Sequence, residues 1–426
     1  MRNIKIITLV LDISERLKPL LVKLFSISFL RSIKKRLVDS SMTTLESSKA
    51  PLPFSRDAYP DGINLIGYVK AEIGLGESCR LIAGVLENTD LDFTVYNYEI
   101  VGALRYNDTT WKCKITNTVP YNINLIHIQP YELSLAYIRM DKKIWDKRYN
   151  IAFWLWELEQ FPESWKKALI LADEIWTPSE FVSASIRSVT DKPVHTIQYG
   201  IDTPPCGEYT RDSFTLPDDK FLVLCMYDCN SFIERKNPIA TIRAYKQAFS
   251  PHEQDVGIVI KLNNPQKADI QAIEAELSEY SNVYLIAEVL EKTQVNALIA
   301  CADIYISLHR SEGFGLIPAE AMLLGTPVIA TNWSANTEFM TKDTACLVDF
   351  AFITIEKDQG PYKAGNRWAD PDIGQAAGYL RKLYEDEKFR RLIADNAREY
   401  IKEKLSPERA VALMKQRIIE IYNTAT

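Results

Sequence analysis

The chain has 426 residues, more than one ordinary core and enough for two domains of about 200 residues each. A hydrophobic share of 47%, a charged share of 25% and a net charge of −6 describe a globular protein and argue against nucleic acid as a partner. Seven scattered cysteines, with Cys225-x3-Cys229 the only close pair and no histidine nearby, complete no zinc site and fit a reducing cytoplasm.

The charge is uneven. Residues 1–40 carry nine Lys or Arg against three Asp or Glu, a balance of +6, so the remainder carries −12. The apolar stretch at Ile6–Leu11 is too short for the core of a signal peptide, and no segment reaches the ~18 apolar residues of a membrane span. Residues 16–37 set Leu17, Leu20, Leu21, Leu24, Phe25, Phe29, Leu30 and Ile33 at helical spacing against Lys18, Lys23, Arg31, Lys34, Lys35 and Arg36. That pattern predicts either an interfacial helix on the inner face of a membrane or a helix or tail belonging to the domain. Residues 38–60, rich in Ser, Thr and Pro, read as a linker, which makes 1–60 a separate N-terminal segment.

From residue 61 to 203, buried strands alternate with amphipathic helices, the signature of a parallel sheet. Strands are predicted at Ile63–Val69, Phe93–Tyr98, Ile123–Gln129, Ile151–Trp156, Glu174–Thr177 and Val194–Gln198, and helices at Gly76–Glu87 and Ser179–Val189. Gly74-Leu75-Gly76 follows the first strand and opens a helix; it is no dinucleotide fingerprint, because Cys79 stands at the third glycine position. His127 and Gln129 share one face of their strand, where either a cleft-lining or a structural role fits. Phe153-Trp154-Leu155-Trp156-Glu157 places aromatics and a carboxylate at a strand end, a composition that suits a sugar ring as well as a core.

A Pro-rich linker at Asp202–Asp219 precedes a second series, in a domain taken as 204–405. Its strands are Phe221–Asp228, Val256–Leu262, Val283–Ala287, Ile304–Leu308 and Val328–Ala330, with helices at Pro238–Phe249, Gln266–Tyr280, Glu291–Cys301 and Leu316–Leu324. Arg235 and Lys236 precede Pro238, whose ring suits a first helical turn, so both cations stand at a strand-to-helix switch point. Lys261 ends the next strand. Glu312 follows a buried strand, Gly313-Phe314-Gly315 give close backbone approach, and Leu316 and Ile317 open a helix whose free N–H groups suit an anion. Glu320 lies about two turns into that helix. Two carboxylates, two cations and a helix N-terminus at one crevice suit a sugar joined to a nucleotide by a pyrophosphate. The tail from Asp372 to Ala425 is almost wholly helical in pattern.

The stretch from His309 to Ala330 resembles the E-x7-E motif of retaining GT-B glycosyltransferases, of the large family that builds bacterial surface polysaccharides. The resemblance runs over residues 62–424 and implies an α/β fold of two Rossmann-like domains, the C-terminal helix 406–424 crossing back to the N-terminal one. It implies that Glu312 contacts the donor sugar and Glu320 the ribose. Arg235, Lys236 and the amides near Gly313, Phe314, Gly315, Leu316 and Ile317 would then hold the pyrophosphate. Gly74 and Gly76 would approach the donor, and Glu288 and Val289 would meet the base through backbone. His127 or Gln129 would stand in the place of a family H-x-H motif, of which only one histidine is present. Trp156 and Glu157, in a stretch similar to W-E-L-E-x-F-P of some relatives, would bind acceptor. Asn332-Trp333-Ser334 stands where relatives often carry a glycine pair.

The implied activity is transfer of a hexose from a UDP- or GDP-sugar to a growing, lipid-linked saccharide. No metal or other cofactor is expected, since no strand-terminal D-x-D is present and Asp370-Pro371-Asp372 falls in a polar loop. A sugar-nucleotide epimerase, a glycogen-synthase-like polymerase and a non-catalytic nucleotide-sugar-binding protein are the alternatives.

Overall fold

The computed structural model describes residues 50–99, 105–203 and 206–424, with Ser32, Ile33, Arg36, Leu37 and Ser40 as isolated positions ahead of them. Apart from Ser32, Ile33, Arg36 and Leu37, the amphipathic segment predicted over 16–37 therefore lies outside the described residues, as do residues 38–39 and 41–49 of the 38–60 linker. Among the described residues no helix is long and apolar enough to cross a membrane.

The first half is a parallel sheet of six strands in the order β2-β1-β3-β4-β5-β6. These are β1 (Ile63–Gly67), β2 (Phe93–Asn97), β3 (Ile123–His127), β4 (Tyr149–Phe153), β5 (Glu174–Thr177) and β6 (Val194–Thr196). Helices α1 (Gly74–Glu87), α2 (Pro130–Arg139) and α3 (Glu180–Arg187) cover it. The strands are largely apolar because both faces are buried, and all of β1 is buried. Their shared asparagines pair with one another, Asn64 donating to Asn124 and Asn124 to Asn150.

The second half repeats the scheme, again six parallel strands, in the order β12-β11-β10-β7-β8-β9. They are β7 (Phe221–Asp228), β8 (Val256–Asn263), β9 (Val283–Ile286), β10 (Ile304–Ser307), β11 (Val328–Thr331) and β12 (Cys346–Val348). Around them lie α4 (Ile233–Lys236), α5 (Pro238–Ala248), α6 (Lys267–Glu276), α7 (Lys292–Cys301), α8 (Leu316–Leu324), α9 (Ile373–Glu385) and α10 (Glu387–Lys404). Helix α11 (Pro407–Thr424) then returns to the first half. The Tyr422 hydroxyl donates to Asn122 Oδ1 at 2.9 Å and accepts from the Gly62 amide at 3.1 Å, while Arg417 pairs with buried Glu174 at 2.6 Å. The two chain crossings touch at Gly200, where a Cβ would stand 2.6 Å from the Pro407 Cα.

Five local expectations need correcting, the first being that Asp370-Pro371-Asp372 falls in a polar loop: Asp370 and Pro371 end a strand at Arg367–Pro371 and Asp372 caps α9. Strand β3 ends at His127, because Pro130 opens α2 and Gln129 becomes its N-cap. Strand β4 ends at Phe153, so Trp156 and Glu157 lie in a loop and strand alternation does not govern their direction. Helix α1 begins at Gly74, two residues earlier than expected. A two-stranded antiparallel hairpin, β13 (Phe350–Thr354) with β14 (Arg367–Pro371), stands in a stretch for which no element was predicted. Its loop carries Tyr362 against the aromatic core of the first half, so the second domain reaches across the cleft at this point.

Candidate functional site

The site is built where the C-terminal ends of β7 and β10 meet the first half of the molecule. Glu312 follows β10 and is held by cations from α4: Lys236 Nζ pairs with Oε1, and Arg235 Nη1 lies 3.2 Å from the same oxygen. Burial by itself would raise the Glu312 carboxyl, but Lys236 and Arg235 overcome it and bring it down to about 2. Arg235 is only 5% exposed. Its burial disfavours the charge, yet Tyr362, Glu312 and Glu157 more than compensate, so it stays cationic. Arg235 Nη1 also donates to the Ser311 carbonyl at 2.8 Å, and Nε is buried without a partner. The Glu312 amide donates to Ser334 Oγ at 2.8 Å. Ser334 has φ +72° and ψ −157°, a region that glycine occupies freely and other residues rarely.

Gly315 caps α8 with φ +98°, the left-handed conformation that makes glycine suitable there, and leaves the Leu316 and Ile317 amides to open the helix. Phe314 is buried between Tyr199 and Phe339, with ring centroids 4.8 Å and 5.2 Å away. Glu320, on the same helix and 2% exposed, pairs through Oε1 with Lys292 Nζ, while its Oε2 is buried without a partner. Burial raises the Glu320 carboxyl more than Lys292 lowers it. Lys292 reaches Glu77 of α1 as well, at 3.4 Å, so the ion pair spans the two halves.

Across the seam, Gly313 lies so close to the loop after β4 that a Cβ would meet the Trp156 carbonyl at 2.9 Å. Ser179 Oγ donates to the Gly313 carbonyl at 2.8 Å, and Ser311 Oγ donates to the Glu157 carbonyl. Glu157 accepts from the Tyr362 hydroxyl at 3.1 Å and stands 3.8 Å from Arg235. Trp156 is buried, stacked on Tyr362 at 5.4 Å and edge-on to Trp165 at 4.8 Å, so in this arrangement its ring belongs to the core.

His127 is buried, stacked on Phe153 at 5.2 Å, and joined through Ser78 Oγ to Tyr199. Burial lowers its pKa to about 4, which makes it neutral at pH 7. Gln129 is also buried, its Oε1 without a partner. Gly74 is open, with no atom within 4 Å of an added Cβ, whereas Gly76 is fixed by packing, its Cβ direction meeting the Ala71 carbonyl at 1.9 Å. Glu288 and Val289 are exposed after β9. Lys261 is buried and donates to the Leu262 carbonyl at 2.8 Å and Asn263 Oδ1 at 2.7 Å; desolvation lowers it to about 8. Among the described residues no group of three His, Cys, Asp or Glu is disposed to hold a metal ion.

Sequence reasoning thus missed Glu77, Lys292 and Tyr362 as members of the site. Ser334 carried a signal, since it replaces a glycine of the expected pair; the other three become visible only once the halves are brought together.

Residues 209–400 match the family described as glycosyl transferases group 1. A curated relative, the lipopolysaccharide core biosynthesis mannosyltransferase LpsB of Rhizobium meliloti (strain 1021), is 30% identical over 96 residues. That segment spans 22% of this chain and 27% of the relative's length. The fold is similar to HepE of Anabaena, crystallised with UDP-glucose, at TM-score 0.59 and 14% identity over 85% of this chain and 99% of that one. It is also similar to sucrose-phosphate synthase of Thermosynechococcus elongatus, at TM-score 0.62 and 16% identity over 85% and 100%. TarM of S. aureus, crystallised with UDP and alpha-GlcNAc-glycerol, aligns at TM-score 0.51 and 14% identity over 70% and 55%. The architecture is GT-B.

Proposed function

We propose that this protein is a retaining glycosyltransferase that moves a hexose from a UDP- or GDP-sugar to a saccharide acceptor, without a metal, in surface polysaccharide synthesis. One observation carries the reading: Lys236 and Arg235 converge on ionised Glu312 beside the N-terminus of α8. Two fixed cations and a helix N-terminus can neutralise the charge that develops on a departing nucleoside diphosphate. Glu312, held ionised between those cations, orients a sugar hydroxyl through hydrogen bonding. Glu320 Oε2, buried and unpartnered, is suited to a ribose hydroxyl. Retention then follows if the leaving phosphate takes the acceptor's proton on the face it departs from, so that no protein nucleophile is required.

The other assigned residues take supporting roles in this reading. Neutral His127 holds Ser78 and so shapes the start of α1, and Gln129 Oε1 offers an acceptor to the donor sugar. Glu157 meets the acceptor once the seam opens, with Trp156 beneath it as support. The Rhizobium relative and the UDP-sugar complex of HepE favour a polysaccharide pathway and a uridine donor, and a lipid-linked acceptor agrees with the basic segment at 16–37. Titration calorimetry in EDTA tests the site. Wild type should bind UDP, and Arg235→Ala with Lys236→Ala should bind about 100-fold more weakly, at about 1.5 kcal/mol per lost charge-assisted contact. Unchanged affinity in the double variant, or wild-type binding that vanishes with EDTA, would defeat the assignment.

A further inference from the structure

Lys292 lies outside every motif the sequence offered, yet it is the hub of an ion-pair chain that runs through the cleft. Its Nζ pairs with Glu320 Oε1 on α8 and lies 3.4 Å from Glu77 Oε1 on α1. Arg80 holds the other side of Glu77 at 2.9 Å, fixing that carboxylate from within its own helix. The chain Arg80–Glu77–Lys292–Glu320 thus starts in the first domain and ends on a side chain that is 2% exposed. A purely structural ion pair at such depth would be expected to satisfy both carboxylate oxygens, because an unmade buried hydrogen bond is expensive. Here one oxygen is engaged and the other, Oε2, is buried with no partner. Lys292 itself remains 31% exposed while Glu320 is 2% exposed, so the pair joins a partly exposed ammonium to a buried carboxylate whose second oxygen is left unengaged.

We infer that Lys292 is a positioning residue for ribose recognition: it holds Glu320 Oε1 so that Oε2 is left to accept from a ribose hydroxyl, and Glu77 completes this arrangement from the opposite domain. The inference rests on the donor-site reading above. Burial raises the Glu320 carboxyl and Lys292 offsets part of that rise, so the ammonium favours the form of Glu320 that accepts. Because Glu77 belongs to α1, immediately after Gly76, the ribose subsite reaches its full strength only when the two halves are together. Ribose binding and domain closure are thereby coupled through one ammonium group.

The test compares the affinities of UDP and its 2′,3′-dideoxy analogue by calorimetry, in wild type and in Lys292→Met, Lys292→Arg, Glu77→Gln and Glu320→Gln. One buried hydrogen bond to Oε2 predicts about a tenfold preference for the ribose form in wild type. Glu320→Gln and Lys292→Met should each bring that preference close to unity, Lys292→Arg should retain most of it, and Glu77→Gln should reduce it about threefold. Should Lys292→Met fail to fold, Lys292→Gln, which keeps a donor for Oε1 without the charge, takes its place and should also lose the preference. A merely structural lysine would lower the melting temperature and leave the ratio alone, which would overturn the inference. So would loss of the preference in Glu320→Gln with full retention in the Lys292 variants, while the donor site itself would stand. No ribose preference in wild type would remove the assignment of Glu320 and the role of Lys292 together. Full retention in Glu77→Gln would remove the coupling between domains.

Discussion

Glu312→Gln isolates the ion pair at the centre of the site, and its effect on stability should depend on pH. In the folded protein Lys236 and Arg235 outweigh burial and hold the Glu312 carboxyl at about 2, against an ordinary 4.5. A difference of that size corresponds to about 3 kcal/mol in favour of the ionised, folded form. The folded value is the lower one, so this stability is present above the unfolded pKa and disappears as pH falls through the folded one. Wild type should therefore lose about 2 kcal/mol from this source between pH 7 and pH 3, and the rest near pH 2. Glutamine cannot titrate, so the variant lacks this slope and shows only a constant loss from its rearranged hydrogen bonds. The assay is urea unfolding followed by tryptophan fluorescence at pH 7, 5, 4 and 3, read as the difference between the two proteins so that shared carboxylates cancel. A difference independent of pH would refute the claim that these cations stabilise Glu312 in its ionised form.

Two further outcomes follow from the same geometry. On the proposed roles, Glu320→Gln should chiefly raise KM for the donor, because a ribose contact would be made before and during transfer, whereas Glu312→Gln should lower kcat more; the reverse pattern would exchange their roles. Deleting residues 1–40 should abolish sedimentation with anionic vesicles and spare transfer to a soluble acceptor, since both sheets begin after residue 60. Equal vesicle binding with and without the segment would leave it no membrane role.

Much of the architecture was legible because buried parallel strands leave runs of mostly apolar residues. Val256–Leu262 and Ile304–Leu308 need no partner to be recognised, and Leu316–Leu324 is marked at both ends by glycines at positive φ, Gly315 and Gly325. The Arg235–Lys236 and Glu312 segments were readable for a related reason: each follows such a strand, and strand ends define the crevice. Other features depend on contacts distant in sequence. The hairpin Phe350–Pro371 has half-exposed strands, and its Tyr362 makes sense only against Trp156 of the other domain. Glu77 and Lys292 are unremarkable charged positions on two helices until the cleft closes on them. Trp156 fitted both a sugar platform and a core, and the structure places it in the core because β4 stops three residues earlier.

The seam itself is the remaining physical constraint on function. Glu312 is buried, and Gly313 approaches the Trp156 carbonyl too closely for even a methyl group. Ser179 and Ser311 add hydrogen bonds across the same joint, and Arg367 grips Glu159 with two bonds of 2.7 and 2.9 Å. On the proposed function, a hexose between Glu312 and the first domain requires the joint to part. Gly313→Ala should force that separation: its Cβ, 2.9 Å from a backbone oxygen, has no flexible side chain to push aside. Fold and donor domain should survive, because the clash lies between domains and not within one. Small-angle scattering should then show a larger radius of gyration than wild type in the absence of ligand, and amide exchange should quicken in residues 154–159 while the strands of both sheets keep their protection. An unchanged radius together with unchanged exchange at 154–159 would mean that the closed seam is not the resting state in solution, and that the site is already open when the donor arrives.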